Sequence, residues 1–357
     1  MEKFQVTLSQ AAALIRTCGD TNTILLRGAP GIGKSSILKM LAEHLPGHIP
    51  AYIDVATLDL GDIAMPVVDR ENMVTEYAPN ARFGLRLGTD KPLLIMLDEL
   101  GKASPPVLNM LLPLPQERRL GDRMLPDGSI VFATTNLDTD NVGDRIPAHA
   151  YNRMTVVDVA NPTSKEWLAW AADNDIAAEV CNFATDVPHV FERYDMRPAS
   201  AKPNPYIFDP RHGQTKAFCS PRSLEKASNL IKQRAQLGDA LLPALAGTVG
   251  AAAASDLEAF VRLGYALPSF ESIIADPMTA RLPASVAEYF MMAFKLAGAV
   301  MPDTLSPFIH YVKRWTAFEA QALFTSWVAG GRRTVVFAVK NRDFTLLANE
   351  HRKFVSL

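Results

Sequence analysis

The chain has 357 residues, of which 48% are hydrophobic and 21% charged, and its formal net charge at pH 7 is −2. This length exceeds what one compact core accommodates and predicts two or three domains, and the composition argues against intrinsic disorder. The nearly balanced charge argues against a protein that mainly coats nucleic acid.

The ends of the chain and its most apolar segment predict a cytoplasmic location. The first five residues lack a basic stretch followed by an apolar run, so no export signal is predicted. The most apolar window, residues 240–254, is shorter than the ~20 residues of a membrane helix and predicts a buried helix pair rich in Ala and Gly. Cys18, Cys181 and Cys219 are widely spaced, which favours reduced thiols over a disulfide or zinc framework.

The first predicted elements are a helix over residues 7–18, an apolar strand over 23–27 and a glycine-rich loop that opens a helix over 36–45. Strand, glycine loop and helix in this order indicate a phosphate loop, whose backbone N–H groups close around phosphate oxygens at a helix N-terminus. The predicted nucleotide-binding residues are Gly28, Ala29, Pro30, Gly31, Ile32, Gly33, Lys34, Ser35 and Ser36.

Two side chains of this loop have predicted roles of their own. Lys34 would reach the β- and γ-phosphates of a bound nucleotide, and Ser35 would hold Mg²⁺. The alternative is an ordinary glycine turn before a helix, which the flanking strand and helix make less favourable. The loop therefore predicts that the protein binds a nucleoside triphosphate with Mg²⁺.

A second strand and an inserted hairpin are predicted next. Residues 51–55 form the strand, and residues 61–89 contain two short strands around a turn, the second ending at Tyr77. A continuous apolar run over 92–97 then predicts a strand in the middle of a parallel sheet.

This central strand ends in two acidic residues, Asp98 and Glu99. Ligand chemistry belongs at the carboxyl ends of parallel strands, so Asp98 is predicted to coordinate Mg²⁺ through water. Glu99, one residue further, is predicted to polarise the attacking water. Acidic pairs are also common at solvated strand ends, and the preceding phosphate loop is what favours the functional interpretation.

Ser104 is predicted to cap a helix that reaches about residue 112, and residues 116–128 to form a hairpin closed near Asp127-Gly128. A core strand over 129–136 follows. It ends at Asn136, whose amide could orient the lytic water if this strand neighbours the one before Glu99.

The α/β region is predicted to end after a strand over 154–159, where Thr163 and Glu166 form a capping box. A later helix begins at Ser220 and runs to about residue 236. From residue 239 onward the patterns are mainly helical, with core aromatics. The predicted domains are an α/β nucleotide-binding domain (1–160), a helical lid (161–238) and a helical C-terminal domain (239–357).

These motifs follow one another in the order found in AAA+ ATPases, which the chain resembles over about residues 5–236. The motifs are GAPGIGKS, LLIMLDEL, ATTN, IPAHAYNR and SPRSLEK. The first insert, the ERRLGDRMLPDG hairpin and SPRSLEK resemble more narrowly the MoxR group, which includes CbbQ-type activases. The resemblance implies an AAA+ P-loop NTPase core with a parallel sheet, then an α-helical lid and a mainly helical C-terminal domain.

The resemblance also implies roles for residues at matching positions. Lys34 and Ser35 would be the phosphate-loop residues, Asp98 the metal-water acid and Glu99 the catalytic base. Asn136 would be the first sensor.

Three arginines match the family's positively charged positions. Arg153 matches the arginine finger that reaches into the neighbouring subunit's nucleotide, and Arg145 is a weaker candidate for that role. Arg222 matches the second sensor, a lid arginine that reports on the γ-phosphate.

Family members commonly form hexameric rings with ATP held between subunits. They act as chaperone-like remodellers beside proteins with a von Willebrand factor A domain. The resemblance thus implies an ATP-hydrolysing, Mg²⁺-dependent homo-oligomer that remodels or activates a protein partner.

The main alternative is a nucleic-acid-associated AAA+ motor or restriction-type NTPase, for which the basic pairs at 118–119, 313–314 and 332–333 are the available signal. Another alternative is a nucleotide switch with negligible turnover, but a switch has no need of Glu99. A GTPase is less favoured because no N-K-x-D sequence occurs. A small-molecule kinase is less favoured because nothing marks an acceptor pocket.

Overall fold

The computed structural model describes residues 4–86, 88, 90–137, 146–198, 201–212, 217–265 and 267–353. The chain divides into two compact units, Met1–Asn161 and Pro162–Leu357. The weaker candidate finger, Arg145, lies outside the described residues.

The first unit is an α/β unit. Its strands are β1 (Gln5–Val6), β2 (Ile24–Arg27), β3 (Ile49–Asp54), β4 (Ala64–Asp69), β5 (Val74–Pro79), β6 (Leu93–Asp98), β7 (Arg119–Leu120), β8 (Arg123–Met124), β9 (Ile130–Thr135) and β10 (Thr155–Val159). Its helices are α1 (Leu8–Cys18), α2 (Ser36–His44), α3 (Pro105–Leu111), α4 (Pro113–Glu117) and α5 (Ala148–Tyr151).

Six of these strands form one parallel sheet in the order β1-β10-β2-β9-β6-β3. Its central strands β6 and β9 are buried at every residue, as their continuous apolar runs predict. Helices α1 and α2 cover one face, and α3 and α4 contribute to the apolar core on the other. The predicted parallel-sheet core is therefore confirmed.

Two antiparallel hairpins lie outside this sheet. The pair β4–β5 is the predicted insert. The pair β7–β8 closes at Gly121-Asp122, so the predicted closure near Asp127-Gly128 is wrong. Gly121 has φ +58, and a Cβ there would lie 2.3 Å from the carbonyl oxygen of Tyr77.

The two hairpins are hydrogen-bonded to each other through Asp122. Its carboxylate accepts a hydrogen bond of 2.6 Å from the Tyr77 N–H, and its own N–H donates to the Tyr77 carbonyl at 3.0 Å. This close approach of two backbones requires the glycine at 121.

The second unit is helical in its described part. Its helices are α6 (Ser164–Asp173), α7 (Ala178–Asp186), α8 (Pro221–Lys232), α9 (Arg234–Leu237), α10 (Leu241–Val249), α11 (Ala251–Tyr265), α12 (Phe270–Ala275), α13 (Val286–Gly298), α14 (Leu305–Val312), α15 (Phe318–Gly330), α16 (Val335–Ala338) and α17 (Arg342–Glu350).

Local signals in the sequence explain where several of these helices begin and end. The Thr163–Glu166 capping box opens α6, and Ser220 caps α8 with Pro221 at its first position. Gly250, with φ +89, separates α10 from α11, which confirms the predicted helix pair. Ser104 is the residue before α3, as predicted, but its side chain makes no capping hydrogen bond.

Aromatic and apolar side chains from α12 to α17 form a core of their own, and Phe308, Tyr311 and Trp315 are almost fully buried in it. These aromatics are core residues, as predicted. In the described residues, no helix is long and apolar enough to cross a membrane. The boundary at residue 238 between a lid and a C-terminal domain stays a prediction.

Candidate active site

The sheet order places three functional strand ends side by side. The glycine loop follows β2, Asn136 follows β9, and Asp98 ends β6. Arg27 pairs with Thr135, and Leu97 pairs with Ala133. Because all three strands are parallel, their carboxyl ends form one edge, which is where ligands bind in sheets of this kind.

The glycine loop has a backbone conformation that residues other than glycine adopt only with strain. Gly31 has φ +78 and Gly33 has φ +104, in the region that favours glycine. At Gly28, a Cβ would lie 2.7 Å from Cδ1 of Ile32 and 3.2 Å from the carbonyl oxygen of Val159. These contacts explain why glycines occupy the fixed positions of the predicted motif.

The loop also offers hydrogen-bond donors to a ligand. The N–H groups of Gly31, Ile32 and Gly33 donate to no group in the described part of the chain. They lie just before α2, where the helix dipole favours negative charge. Such a set of amides fits the oxygens of a phosphate chain.

Lys34 is only 8% exposed, and its ammonium group is held by oxygen atoms. It donates to the carbonyls of Gly28 and Ala29, the latter at 3.0 Å. It also donates to Oδ1 of Asn136 at 3.2 Å. The structure therefore brings the predicted phosphate lysine and the predicted first sensor into direct contact.

Asp98 is buried and accepts hydrogen bonds from three hydroxyl groups. Its Oδ2 accepts from Ser35 Oγ at 2.9 Å and from the Tyr52 hydroxyl at 2.8 Å. Its Oδ1 accepts from Thr134 Oγ1. The contact between Ser35 and Asp98 brings the two predicted metal-binding residues together.

Glu99 has an unusual backbone and an engaged side chain. Its φ of +55 places a residue other than glycine in the left-handed region, at a cost of about 1–2 kcal/mol. Its N–H donates to Thr134 Oγ1 at 3.2 Å, and its Oε2 forms an ion pair with Lys102 Nζ at 2.5 Å. Thr134 thus links the two acidic residues.

The two predicted arginines among the described residues, Arg153 and Arg222, are both exposed. Arg153 is exposed in the turn between α5 and β10 and makes no side-chain hydrogen bond or ion pair with any described residue. Arg222 is exposed at the second position of α8, in the second unit. The geometry of the first unit therefore does not bring Arg153 to the phosphate loop.

The residues at the sheet edge fit a nucleotide accompanied by Mg²⁺. Among the described residues, no group of three or more His, Cys, Asp or Glu side chains could form a protein-only metal site. Mg²⁺ usually needs only one or two carboxylates, because it keeps several waters and takes oxygens from the substrate phosphates. Ser35 and Asp98 carry oxygen atoms of the kind that this ion prefers as ligands.

Comparison with known proteins agrees with this geometry. Residues 24–156 match the family model "ATPase family associated with various cellular activities (AAA)". No curated protein sequence matches the chain. The matched segment runs from the first residue of β2 into β10 and so includes the phosphate loop, Asp98, Glu99, Asn136 and Arg153.

Several solved structures are similar at low identity. A presumed ATPase of Cytophaga hutchinsonii is 17% identical, with a TM-score of 0.34, and the match covers 49% of this chain and 52% of that one. Hsp104, solved with ATPγS and casein, is 19% identical, with a TM-score of 0.36, and the match covers 47% of this chain and 34% of Hsp104. NtrX from Brucella abortus with ADP is 14% identical, with a TM-score of 0.39, and the match covers 97% of this chain and 67% of NtrX. The chain thus spans about half the length of the first of these and about a third of the second.

A phosphate loop after β2, an acidic end to β6 and a parallel sheet between helical layers are the features of the P-loop nucleoside triphosphatase fold. The AAA family model covers residues 24–156, less than half of the chain, and the chain resembles that family over this segment.

The sequence prediction missed three residues of this edge. Tyr52 and Thr134 both donate to Asp98, and Lys102 pairs with Glu99. The position of Thr134 two residues before Asn136 was a usable signal, because that spacing places it near the same strand end. The contact of Tyr52 depends on strand register, which the sequence does not state.

Proposed function

We propose that this ATPase is a hexameric ring of the MoxR type that uses Mg²⁺-dependent ATP hydrolysis to remodel or activate a protein partner. The family model supports the ATPase activity. The ring is proposed chiefly because of the position of Arg153.

The roles of the loop and strand-end residues follow from their contacts. The loop amides and Lys34 would bind the phosphates, and Ser35 and Asp98 would hold Mg²⁺, which when bound would neutralise charge on the phosphate oxygens. Glu99 would accept a proton from the attacking water, and Asn136 would orient that water.

Arg153 is too far from the phosphate loop of its own subunit to complete this site. Two residues after it, Thr155 pairs with Ile24 at the start of β2, whereas the loop begins after the other end of β2. The rise along a strand is ~3.3 Å per residue, so β2 separates the two edges by about 13 Å. An arginine side chain does not span this distance, and the exposed guanidinium of Arg153 remains available to a neighbouring subunit.

An arginine supplied by a neighbour can accelerate phosphoryl transfer by about 10³ to 10⁵. This gives a complementation test with two inactive variants. Arg153→Ala should bind ATP without hydrolysing it, and Lys34→Ala should fail to bind it. In a mixed ring, Lys34 from one variant and Arg153 from the other form complete sites.

In an equimolar mixture, random assembly should restore about a quarter of wild-type turnover. At about one interface in four, a subunit with intact Lys34 faces a neighbour with intact Arg153. A mass measurement in ATP establishes that the mixture assembles. Mixed assemblies without turnover would show that Arg153 does not act between subunits. Arg16→Ala, another exposed arginine of the first unit, is the control and should keep full activity.

The β4–β5 hairpin supports a protein partner. Six of its large apolar side chains are between 47% and 86% exposed, namely Met65, Val67, Val68, Met73, Val74 and Tyr77. An exposed apolar group of this kind marks a protein contact more often than a nucleic-acid contact, which needs positive charge.

Four arginines of the basic pairs that favour a nucleic-acid motor have partners within the protein. Arg118 donates to four groups of the first unit, and Arg119 pairs with Glu117 at 3.0 Å. Arg314 donates to two backbone carbonyls, and Arg332 lies 3.9 Å from Asp173. These four side chains are engaged within the protein, which weakens that alternative.

Two parts of the proposal rest on the MoxR resemblance alone. One is a partner with a von Willebrand factor A domain, and the other is a lid, residues 161–238, that carries Arg222 as second sensor. The proposed partner is tested by a pull-down with the Glu99→Gln variant in the presence of ATP, followed by identification of the bound proteins. Arg222→Ala tests the second, because a sensor variant should lose turnover while its helix stays folded.

A further inference from the structure

The Asp98 carboxylate accepts hydrogen bonds from three hydroxyl groups, and only one of these groups is also a proposed metal ligand. Ser35 belongs to the phosphate loop, and it would leave Asp98 when it becomes a metal ligand. Tyr52 and Thr134 lie on the flanking strands β3 and β9 and have no such alternative partner in the proposed site.

The position of Tyr52 follows from strand register. Tyr52 pairs with Met96, and Asp54 pairs with Asp98, across the parallel strands β3 and β6. Alternation along a strand puts Tyr52, Met96 and Asp98 on the same face. The long phenol side chain covers the two-residue offset and brings its hydroxyl to Oδ2 of Asp98 at 2.8 Å.

The hydroxyl of Tyr52 acts as a hydrogen-bond donor to Asp98 in this contact. The residue lies on the edge strand and is 53% exposed, so its ring is less tightly packed than a core side chain. The hydroxyl contact is therefore the main specific interaction of this side chain.

We propose that Tyr52 is a positioning residue for metal binding, which fixes Oδ2 of Asp98 while Thr134 fixes Oδ1. A carboxylate has about four acceptor sites, of which these two hydroxyls use one on each oxygen. When Ser35 leaves, Oδ2 regains an acceptor site for a metal-bound water without freeing the carboxylate to rotate. This inference rests on the proposed metal role of Ser35 and Asp98.

The test is Mn²⁺ binding to the ADP complex, followed by electron paramagnetic resonance, because this readout needs no hydrolysis. Tyr52→Phe should weaken Mn²⁺ binding by about 2- to 10-fold, the effect of losing one hydrogen bond. It should also raise the Mg²⁺ concentration that half-saturates the ATPase by a similar factor. Tyr289→Phe is the matched control, because its hydroxyl accepts a hydrogen bond from Thr316 in the second unit, and it should change neither value.

Unchanged Mn²⁺ affinity in Tyr52→Phe would overturn the inference, as would a wild-type ADP complex that binds no Mn²⁺. A thermal unfolding midpoint equal to the wild-type value shows that the variant is folded. If wild-type protein binds Mn²⁺ with ADP but does not hydrolyse ATP, the proposed ATPase mechanism fails while the role of Tyr52 is still decided by the Mn²⁺ affinities.

Discussion

The ammonium group of Lys102 lies 2.5 Å from Oε2 of Glu99, three residues earlier in the chain. A general base must present a lone pair to the attacking water, so an ion pair on this carboxylate competes with the proposed role of Glu99. We expect Lys102→Met to raise the ATPase rate measured without a partner by about 2- to 5-fold, a change well below the full effect of a general base. The measurement is phosphate release under saturating ATP.

Lys91→Met, at another exposed lysine of the first unit, should leave this rate unchanged. A decrease in Lys102→Met would contradict the expectation, because it would mean that Lys102 supports turnover instead of restraining Glu99.

Substitutions of Lys34 and Glu99 should separate binding from turnover. Lys34→Ala removes a charged donor to the phosphates and should weaken ATP binding at least about tenfold. Glu99→Gln keeps the shape of the side chain but not its basicity, and should lower turnover about 10²- to 10⁴-fold with ATP affinity close to wild type. Calorimetric ATP binding and phosphate release measure the two effects.

Equal, near-zero phosphate release from wild type and Glu99→Gln would instead favour a nucleotide switch. Lys39→Ala, on the exposed side of α2, is the control for Lys34→Ala and should bind ATP normally.

Arg118 and its neighbour Arg119 should differ sharply in their contribution to stability. The guanidinium of Arg118 donates to the carbonyls of Gly19, Asp20 and Pro115 and to the Thr23 hydroxyl, and burial lowers its pKa. Arg118→Ala would leave several of these acceptors unsatisfied and should cost about 2–4 kcal/mol of unfolding free energy.

Arg119→Ala should cost less than about 1 kcal/mol, because its ion pair with Glu117 is exposed. Hydrogen exchange of the β2 and β9 amides reports the stability of this unit specifically. A loss below about 1 kcal/mol in Arg118→Ala would show that the buried hydrogen bonds of Arg118 contribute little.

His351 should make the second unit less stable in acid. Its imidazole is buried against Phe318, Nε2 lies 3.2 Å from Gln321 Oε1, and Nδ1 has no hydrogen-bond partner in the described residues. Burial lowers the pKa of His351, so the unfolded chain takes up the proton first as pH falls. Its contribution to stability is therefore complete above the unfolded pKa of about 6.5 and is lost as pH falls through that value.

We expect the free energy of unfolding to fall less between pH 7.5 and 5.5 in His351→Gln than in wild type. Urea unfolding at several pH values measures the difference, and an NMR titration of His351 gives its pKa directly. An equal pH dependence in both proteins would mean that His351 does not contribute to it.

The sequence predicted the parts of this structure that local chemistry determines. The glycine loop is recognisable because its backbone conformation and its spacing are local properties. Asp98 and Asn136 are recognisable because each ends an apolar strand. The capping box at Thr163 is equally local.

Features that depend on pairing between distant segments were not predictable. Glycines at 121 and 128 both adopt positive φ, and only the pairing of β7 with β8 selects the first as the hairpin turn. The contact of Tyr52 with Asp98 requires the β3–β6 register, and the ion pair of Lys102 with Glu99 requires the left-handed turn at Glu99. These are tertiary constraints, which composition and periodicity do not encode.

The double hydrogen bond between Tyr77 and Asp122 joins the two hairpins mechanically. These bonds connect the exposed hairpin β4–β5 to β7–β8, which precedes β9 in the chain. That strand leads directly to Asn136, whose amide touches Lys34. A movement of the apolar hairpin β4–β5 therefore has a short route, partly through hydrogen bonds and partly along the chain, to the partner of the phosphate lysine.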